Sequence, residues 1–457
     1  MKKTSYTTAQ YLKFIVPSLF GAACFLLPIP TETGTLTTIL GMLVDATRAV
    51  LKPYLPYMAL VITVAAGLMT AIAVFLKPKW IMENELLKRT FYVTPLWWIS
   101  RIAGSIIMVM VVFKIGPEFI WSMDTGGTCG IVLLPILTPL FVYACFLIAP
   151  LTDFGFMEWA GTLSRPFMRP LFTLPGRASI DCLASWLGSP SVGVIITRKQ
   201  FEEGFYSGRE AAVISTTFSI VGIAYIYVMV EFVGLPNMYF QMLISTYVVS
   251  LVLAFLMPRI WPLGKIKDTY YYKETDDFRA EGRIREDDID PEYTLSQWAL
   301  KTAIERAESS TFDKFAKEGL RSLLGIYSSI FPLVMSWGTL ALIIATYTPI
   351  FEWVSYPFYL LLSLVKCPEP AQVAIAFVLS YADQFLAGVI GASAVSDVAK
   401  FMCAGISITG LIYLTEVGVL VLDSKIPVNF IDLTVIYIER AIVTIFLLMP
   451  FALYFCS

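Results

Sequence analysis

Four places in this 457-residue chain put ionisable side chains inside apolar runs: Asp181, Asp383, Glu416, and the adjacent pair Glu439 and Arg440. A charge at membrane depth costs about 2.5–3.5 kcal/mol on insertion scales, so each marks a functional site or a structural ion pair. Asp181 stands in SIDCLASWLGSPS with Ser185, Ser189 and Ser191. Asp383 stands in SYADQFLAG beside Tyr381 and Gln384, with Ser393 further along the same stretch. Short polar side chains next to a helix break can hold a small solute or a cation while the exposed helix ends add their dipoles. The competing assignment for both acids is a cap on a half-helix. Glu416, in ITGLIYLTEVGVLVL, is apolar on both sides, which suits a proton- or cation-coupling carboxylate or, equally, a structural partner for Arg440. Glu439 and Arg440, adjacent on one helix, point in different directions, so each pairs with a different helix and a buried ion pair is the plainest assignment.

The rest of the composition narrows the chemistry. Hydrophobic residues make up 57% of the chain and charged residues 15%, with a mean hydropathy of +0.72, which places it among integral membrane proteins. Histidine is absent, removing the commonest general base, metal ligand and pH switch, so proton coupling falls to carboxylates. A net charge of −2 without a basic domain argues against nucleic acid. The seven cysteines are scattered without CxxC spacing, so neither a disulfide framework nor a zinc site is indicated and no cofactor is expected. Walker, GxSxG and HExxH motifs are missing, and a membrane-embedded enzyme ranks last among the function classes.

The elements that must position these residues are apolar runs of about twenty residues. They fall near 11–29, 57–76, 99–120, 130–149, 211–233, 237–258, 322–348, 402–422 and 428–450. The N-terminal run has the basic start of a signal peptide, but it lacks a clear small-x-small exit and is read as the first span. Residues 35–52 are amphipathic and suit an interfacial helix or a partial re-entry. Lys and Arg collect in alternate loops, which orients the N-terminus and the long polar loop of 259–320 to the cytoplasm. That loop reads as an acidic-basic tether leading into an amphipathic helix.

Two further stretches, Leu174–Phe201 and Cys367–Asp397, follow Pro-containing turns and break on polar clusters, as re-entrant hairpins do. Glu158-Trp159 before the first recurs as Glu352-Trp353 before the second, and STTFSIVGIAYIYVMVEFVGLP after the first resembles CAGISITGLIYLTEVGVLVLDSKIP after the second. By the crossing count the two units begin on opposite sides, which makes them inverted repeats.

The run Leu151–Gly222, with GRASIDCLASWLGSPSVGVIITRKQFEEGFYSGREAAVI at its centre, resembles the nucleoside-recognition gate domain of YjiH-type bacterial membrane proteins, and the second half is similar to a further gate unit fused to it. The resemblance implies a transporter-like core. The expected fold is all-α integral membrane, with about nine transmembrane helices and two re-entrant broken hairpins arranged as inverted repeats. Residues 1–149 form N-terminal membrane helices, 150–258 a first gate repeat, 259–320 a cytoplasmic linker with an amphipathic helix, and 321–457 a second gate repeat.

The expected function is secondary transport of a small polar or anionic solute, such as a nucleoside, across the bacterial inner membrane, driven by a proton or Na+ and compatible with a homo-oligomer. A non-transporting scaffold or sensor is the alternative. Asp181, Ser185, Ser189, Ser191, Tyr381, Asp383, Gln384 and Ser393 are the substrate-binding candidates, and Glu416, Glu439 and Arg440 the coupling or ion-pair candidates. Trp186 and Tyr381 could stack on a base.

Overall fold

The computed structural model describes residues 6–30, 36–187, 190–218, 222–271 and 293–456, without the side chains at 184, 187, 191, 192 and 312. Ser189, the side chain of Ser191 and most of the acidic-basic tether therefore lie outside the described residues. The chain is all-α and integral to a membrane. Among the described residues two strands, Ile29–Pro30 and Leu36–Thr37, are two residues each and pair antiparallel.

Among the described residues nine helices are long and apolar enough to cross a bilayer, and they coincide with the nine expected runs. Local signals start several of them: capping boxes stand at Thr7 with Gln10 and at Ser207 with Glu210, and Pro95 occupies the first turn of the helix Pro95–Phe113, where its missing N–H costs nothing. A further capping box, Thr294 with Gln297, starts the linker helix Leu295–Ser309. The amphipathic stretch forms the helix Ile39–Leu51.

Between spans the driving force is close packing rather than exclusion of water, so small residues mark the contacts. A β-carbon at Gly104 would overlap the carbonyl oxygen of Pro332, which sets how tightly Pro95–Phe113 lies against the helix Phe312–Leu333. On the linker side, Leu295–Ser309 packs on the amphipathic helix Phe156–Phe172 and on Thr8–Leu26. Gly155 makes the first of these contacts, since its φ of +95° needs glycine and a β-carbon there would meet the Ala303 carbonyl. Arg306 of the linker helix bridges Asp153 and Glu158, each at 3.5 Å. Burial pushes the Glu158 carboxyl up from its ordinary value, and the Arg306 charge pulls it part of the way back.

The two most thoroughly buried spans, Gly208–Phe232 and Asp397–Leu422, lie side by side and run antiparallel. A β-carbon at Gly208 would touch Pro427, just beyond the end of the second, while Val233, just beyond the end of the first, lies against Gly391, shortly before the second begins. Both spans are broken. The first passes from Gly208–Val213 through a π turn at Ile214–Phe218 and resumes at Ile223. The second runs from Asp397 to Thr409, leaves the helix over 410–413, and resumes through a π turn at Leu414–Gly418. Leu411 holds a left-handed φ of 60°, a conformation that stores strain in a non-glycine residue and clusters at functional positions. In the matched strings SIVGIAY and SITGLIY, Gly222 corresponds to Gly410 and Tyr225 to Tyr413.

Each stretch expected as a hairpin forms two short packed helices, Ala178–Leu187 with Pro190–Glu202 and Pro370–Ala382 with Gln384–Ala392, the junction of the first pair at 188–189 lying outside the described residues. The second arm of the first hairpin packs on the π turn of the second broken span, and the second arm of the second hairpin packs on Ile223–Phe232 of the first.

Candidate functional site

Asp383 is the hinge of the second hairpin. Extended at φ −151°, it ends Pro370–Ala382 and caps Gln384–Ala392, accepting the Phe385 N–H at 2.8 Å through Oδ1. Its Oδ2 accepts the Thr415 hydroxyl at 2.7 Å, across to the π turn of the second broken span. One residue on, Glu416 accepts the Tyr413 hydroxyl at 2.9 Å. Two interruptions of regular helix thus meet, and each presents a carboxyl group. Backbone freed from helical pairing survives at membrane depth only where it is buried in protein or lines a cavity, and here it borders one.

That cavity has a volume of about 210 Å³. Its lining includes Asp383, Gln384, Tyr413, Thr415 and Glu416, together with Trp97 and Arg101 of Pro95–Phe113 and Trp337 of the turn after Phe312–Leu333. Arg101 and Gln384 are each 7% exposed. Arg101 anchors by donating from Nη1 to the Thr90 carbonyl at 2.7 Å, yet its Nε, the Gln384 Oε1 and the Trp337 Nε1 are buried without a hydrogen-bond partner among the described residues. Leaving a polar group unmatched costs about 1–3 kcal/mol. All three belong to residues that line the cavity, so its border carries polar groups the fold leaves unmatched.

Val389 of Gln384–Ala392 lines this cavity and also a second one of about 390 Å³, bordered by Asp124, Gln372 and Ser393. The arm of the hairpin therefore contributes to the lining of both. A third cavity, of about 720 Å³, lies where the first broken span ends and the second begins, near Arg48, Glu231 and Lys400. Arg48 and Glu231 form an ion pair there at 2.9 Å.

The remaining candidates are dispersed. Ser393 borders the second cavity, accepting from Gln372 at 2.9 Å and donating to the Ile390 carbonyl at 2.8 Å. Tyr381 turns toward the last span, Phe430–Cys456, with its hydroxyl 2.7 Å from that of Thr434 and its ring 4.7 Å from Tyr437. Asp181 accepts the Tyr206 hydroxyl at 2.5 Å, and Ser185 donates to the Asp181 carbonyl at 3.2 Å, within the first hairpin and its following loop. The Trp186 ring lies 5.1 Å from Tyr247 and 6.4 Å from Phe218, committed to packing.

Arg440 is wholly buried, and the hydrogen bonds it makes are to main-chain carbonyls rather than to Glu416 or Glu439. It donates to Thr409 at 2.7 Å, and to Thr216 and Thr217 at 3.4 and 3.5 Å. These carbonyls stand where the two broken spans leave the helix, so one guanidinium supplies donors that both chain breaks lack. Glu439 is half-buried, its Oε2 without a hydrogen-bond partner among the described residues. A second link joins the same parts: the hydroxyls of Tyr225 and Ser407 lie 2.8 Å apart, and Ser407 donates to the Gln384 carbonyl at 2.7 Å.

Sequence reasoning did not single out Arg101, Trp97, Trp337 or Thr415 as site residues. Arg101 stands at the edge of the apolar run of 99–120, where an arginine reads as a cytoplasmic flanking charge.

Comparison with known proteins bears on the central region. The family described as Gate, nucleoside recognition, matches residues 134–236, covering the first hairpin and the first broken span. No solved structure matches the chain. An uncharacterized protein of Alkalihalophilus pseudofirmus is 41% identical over 445 residues, spanning 97% of this chain and 94% of that protein. A Gate region within so many apolar helices is the make-up of a transporter-type, multi-pass membrane protein. At that identity and coverage, the chain belongs to the same family as the Alkalihalophilus pseudofirmus protein.

Proposed function

We propose that this protein is a secondary transporter that carries a small polar solute by alternating access, with the central cavity at Asp383, Gln384 and Glu416 as its binding site. The observation that carries this reading is that Gln384–Ala392 lines both the central and the second cavity, with Val389 bordering each, as a partition between them would. Movement of a short arm hinged at Asp383 would exchange one opening for the other. The antiparallel broken spans and their matched strings support two gate units of the YjiH type in inverted repeat, at about 150–258 and 321–457. In this scheme residues 1–149 contribute more than anchorage, because Arg101 and Trp97 complete the cavity. The linker helix is clamped to the first unit by Arg306.

The test is uptake by the purified protein in liposomes, across a panel of nucleosides, amino acids and organic anions, with imposed proton and Na+ gradients. Gln384→Ala and Asp383→Asn should lower uptake by about tenfold or more, the effect of losing one hydrogen bond to a charged or desolvated group. Ser393→Ala, at the second cavity, should stay close to wild type. Folded protein that accumulates nothing under any gradient, or equal losses in all three variants, would defeat the reading.

Orientation is checked by thiol labelling. With the N-terminus cytoplasmic, a cysteine at exposed Ser309 should resist an impermeant reagent in intact cells, and one at exposed Asp124 should react. Thr125, next along, is fully buried and would be silent on either side. Native background is low, since six of the seven cysteines are buried. The reverse labelling pattern would overturn both the orientation and the placement of the hairpins.

A further inference from the structure

We infer that the central cavity selects a small zwitterion, one ammonium and one carboxylate on the same molecule, as in a free amino acid. This rests on the solute-cavity reading above and adds the chemical class. The lining carries both signs of charge. Arg101 comes from Pro95–Phe113, while Asp383 and Glu416 come from the hairpin and the second broken span. The partners of the two carboxyl groups are neutral, the Phe385 N–H and the Thr415 hydroxyl at Asp383 and the Tyr413 hydroxyl at Glu416, so neither has a cation among them.

Each simpler class of solute leaves part of this arrangement uncompensated where charge is expensive to strand. An uncharged nucleoside offers no counter-charge to either sign. A monoanion satisfies Arg101 but is repelled by two carboxylates, and a simple amine leaves Arg101 unpaired with its Nε already lacking a partner. A zwitterion offers its carboxylate to Arg101 and its ammonium to Asp383, so both signs of charge on the lining find a counter-charge on one molecule. One carboxylate, Glu416, then remains for a coupling proton or cation. The volume of about 210 Å³ falls below the roughly 300–1,000 Å³ of pockets that hold drug-sized ligands, which favours a compact metabolite.

Binding to the full-length protein in nanodiscs distinguishes these classes, read by calorimetry and by the rise in melting temperature that a native-state ligand produces. The panel is a set of L-amino acids, the primary amines lacking their carboxylate, the N-acetyl acids lacking their ammonium, and nucleosides. At least one amino acid should bind about tenfold or more tightly than both of its singly charged analogues, and Arg101→Gln should erase the advantage over the amine. Nucleosides or N-acetyl acids binding the wild type better than any amino acid would overturn the zwitterion while leaving the solute cavity in place. If no member of the four classes binds folded wild-type protein, both the class and the cavity reading fall. The comparison among analogues uses wild-type protein, so it stands even where Arg101→Gln does not fold.

Discussion

Glu416→Gln is expected to abolish gradient-driven accumulation while leaving the protein folded and still able to exchange solute across the membrane. The side chain is exposed to the cavity, and its hydrogen bond is to the Tyr413 hydroxyl, which the amide oxygen of glutamine can accept equally well. The substitution removes the titratable charge and almost nothing else. A tenfold proton gradient is worth about 1.4 kcal/mol, or tenfold accumulation, and this should collapse to equal concentrations inside and out. The measurement is paired uptake and counterflow in liposomes. Undiminished accumulation would remove Glu416 from the coupling step. Loss of folded protein would show that its bond to Tyr413 holds the π turn in place.

For Arg440→Met the expected effect is on stability, and it should be the largest of any single substitution in the last span. Arg440 spends its donors on the carbonyls of Thr409, Thr216 and Thr217, which belong to different broken spans. Methionine fills a similar length and leaves those oxygens without the donor. A hydrogen bond to a charged group contributes about 1.5–3 kcal/mol, and removing one partner from a buried charged arrangement costs about 3–5 kcal/mol. Arg440→Lys should recover only part of this, since an ammonium lacks the planar fork that reaches two chains at once. Thermal unfolding of the three proteins in one detergent checks the order. A methionine variant within about 0.5 kcal/mol of wild type, the range of a neutral surface change, would show that the guanidinium is not what joins the two breaks.

Much of the fold is legible from local properties. The nine spans could be placed because a bilayer demands about twenty apolar residues in succession, a requirement each segment satisfies alone. The hairpin containing Asp383 was visible for the same reason: an acid capping a new helix in the middle of an apolar stretch is a local event, and Asp383 does accept the N–H two residues on. The helix of residues 39–51 and that of 295–309 follow from amphipathic periodicity and, in the second, from a capping box.

What only the tertiary structure decided is which side chains meet. Tyr381 and Trp186 have the right chemistry to stack on a solute, but Tyr437 and Tyr247 pack beside them first. Arg440, the natural candidate for an ion pair with Glu416, is instead directed to main-chain oxygens, because the broken spans that converge on it have carbonyls left over and no sequence pattern records a carbonyl's need. Arg101 reaches the cavity through the close approach that Gly104 allows to Pro332. A span's hydropathy specifies that it crosses the membrane and says little about its rotation. That angle is set by interdigitation with neighbours distant in sequence, and it determines which polar groups share a cavity.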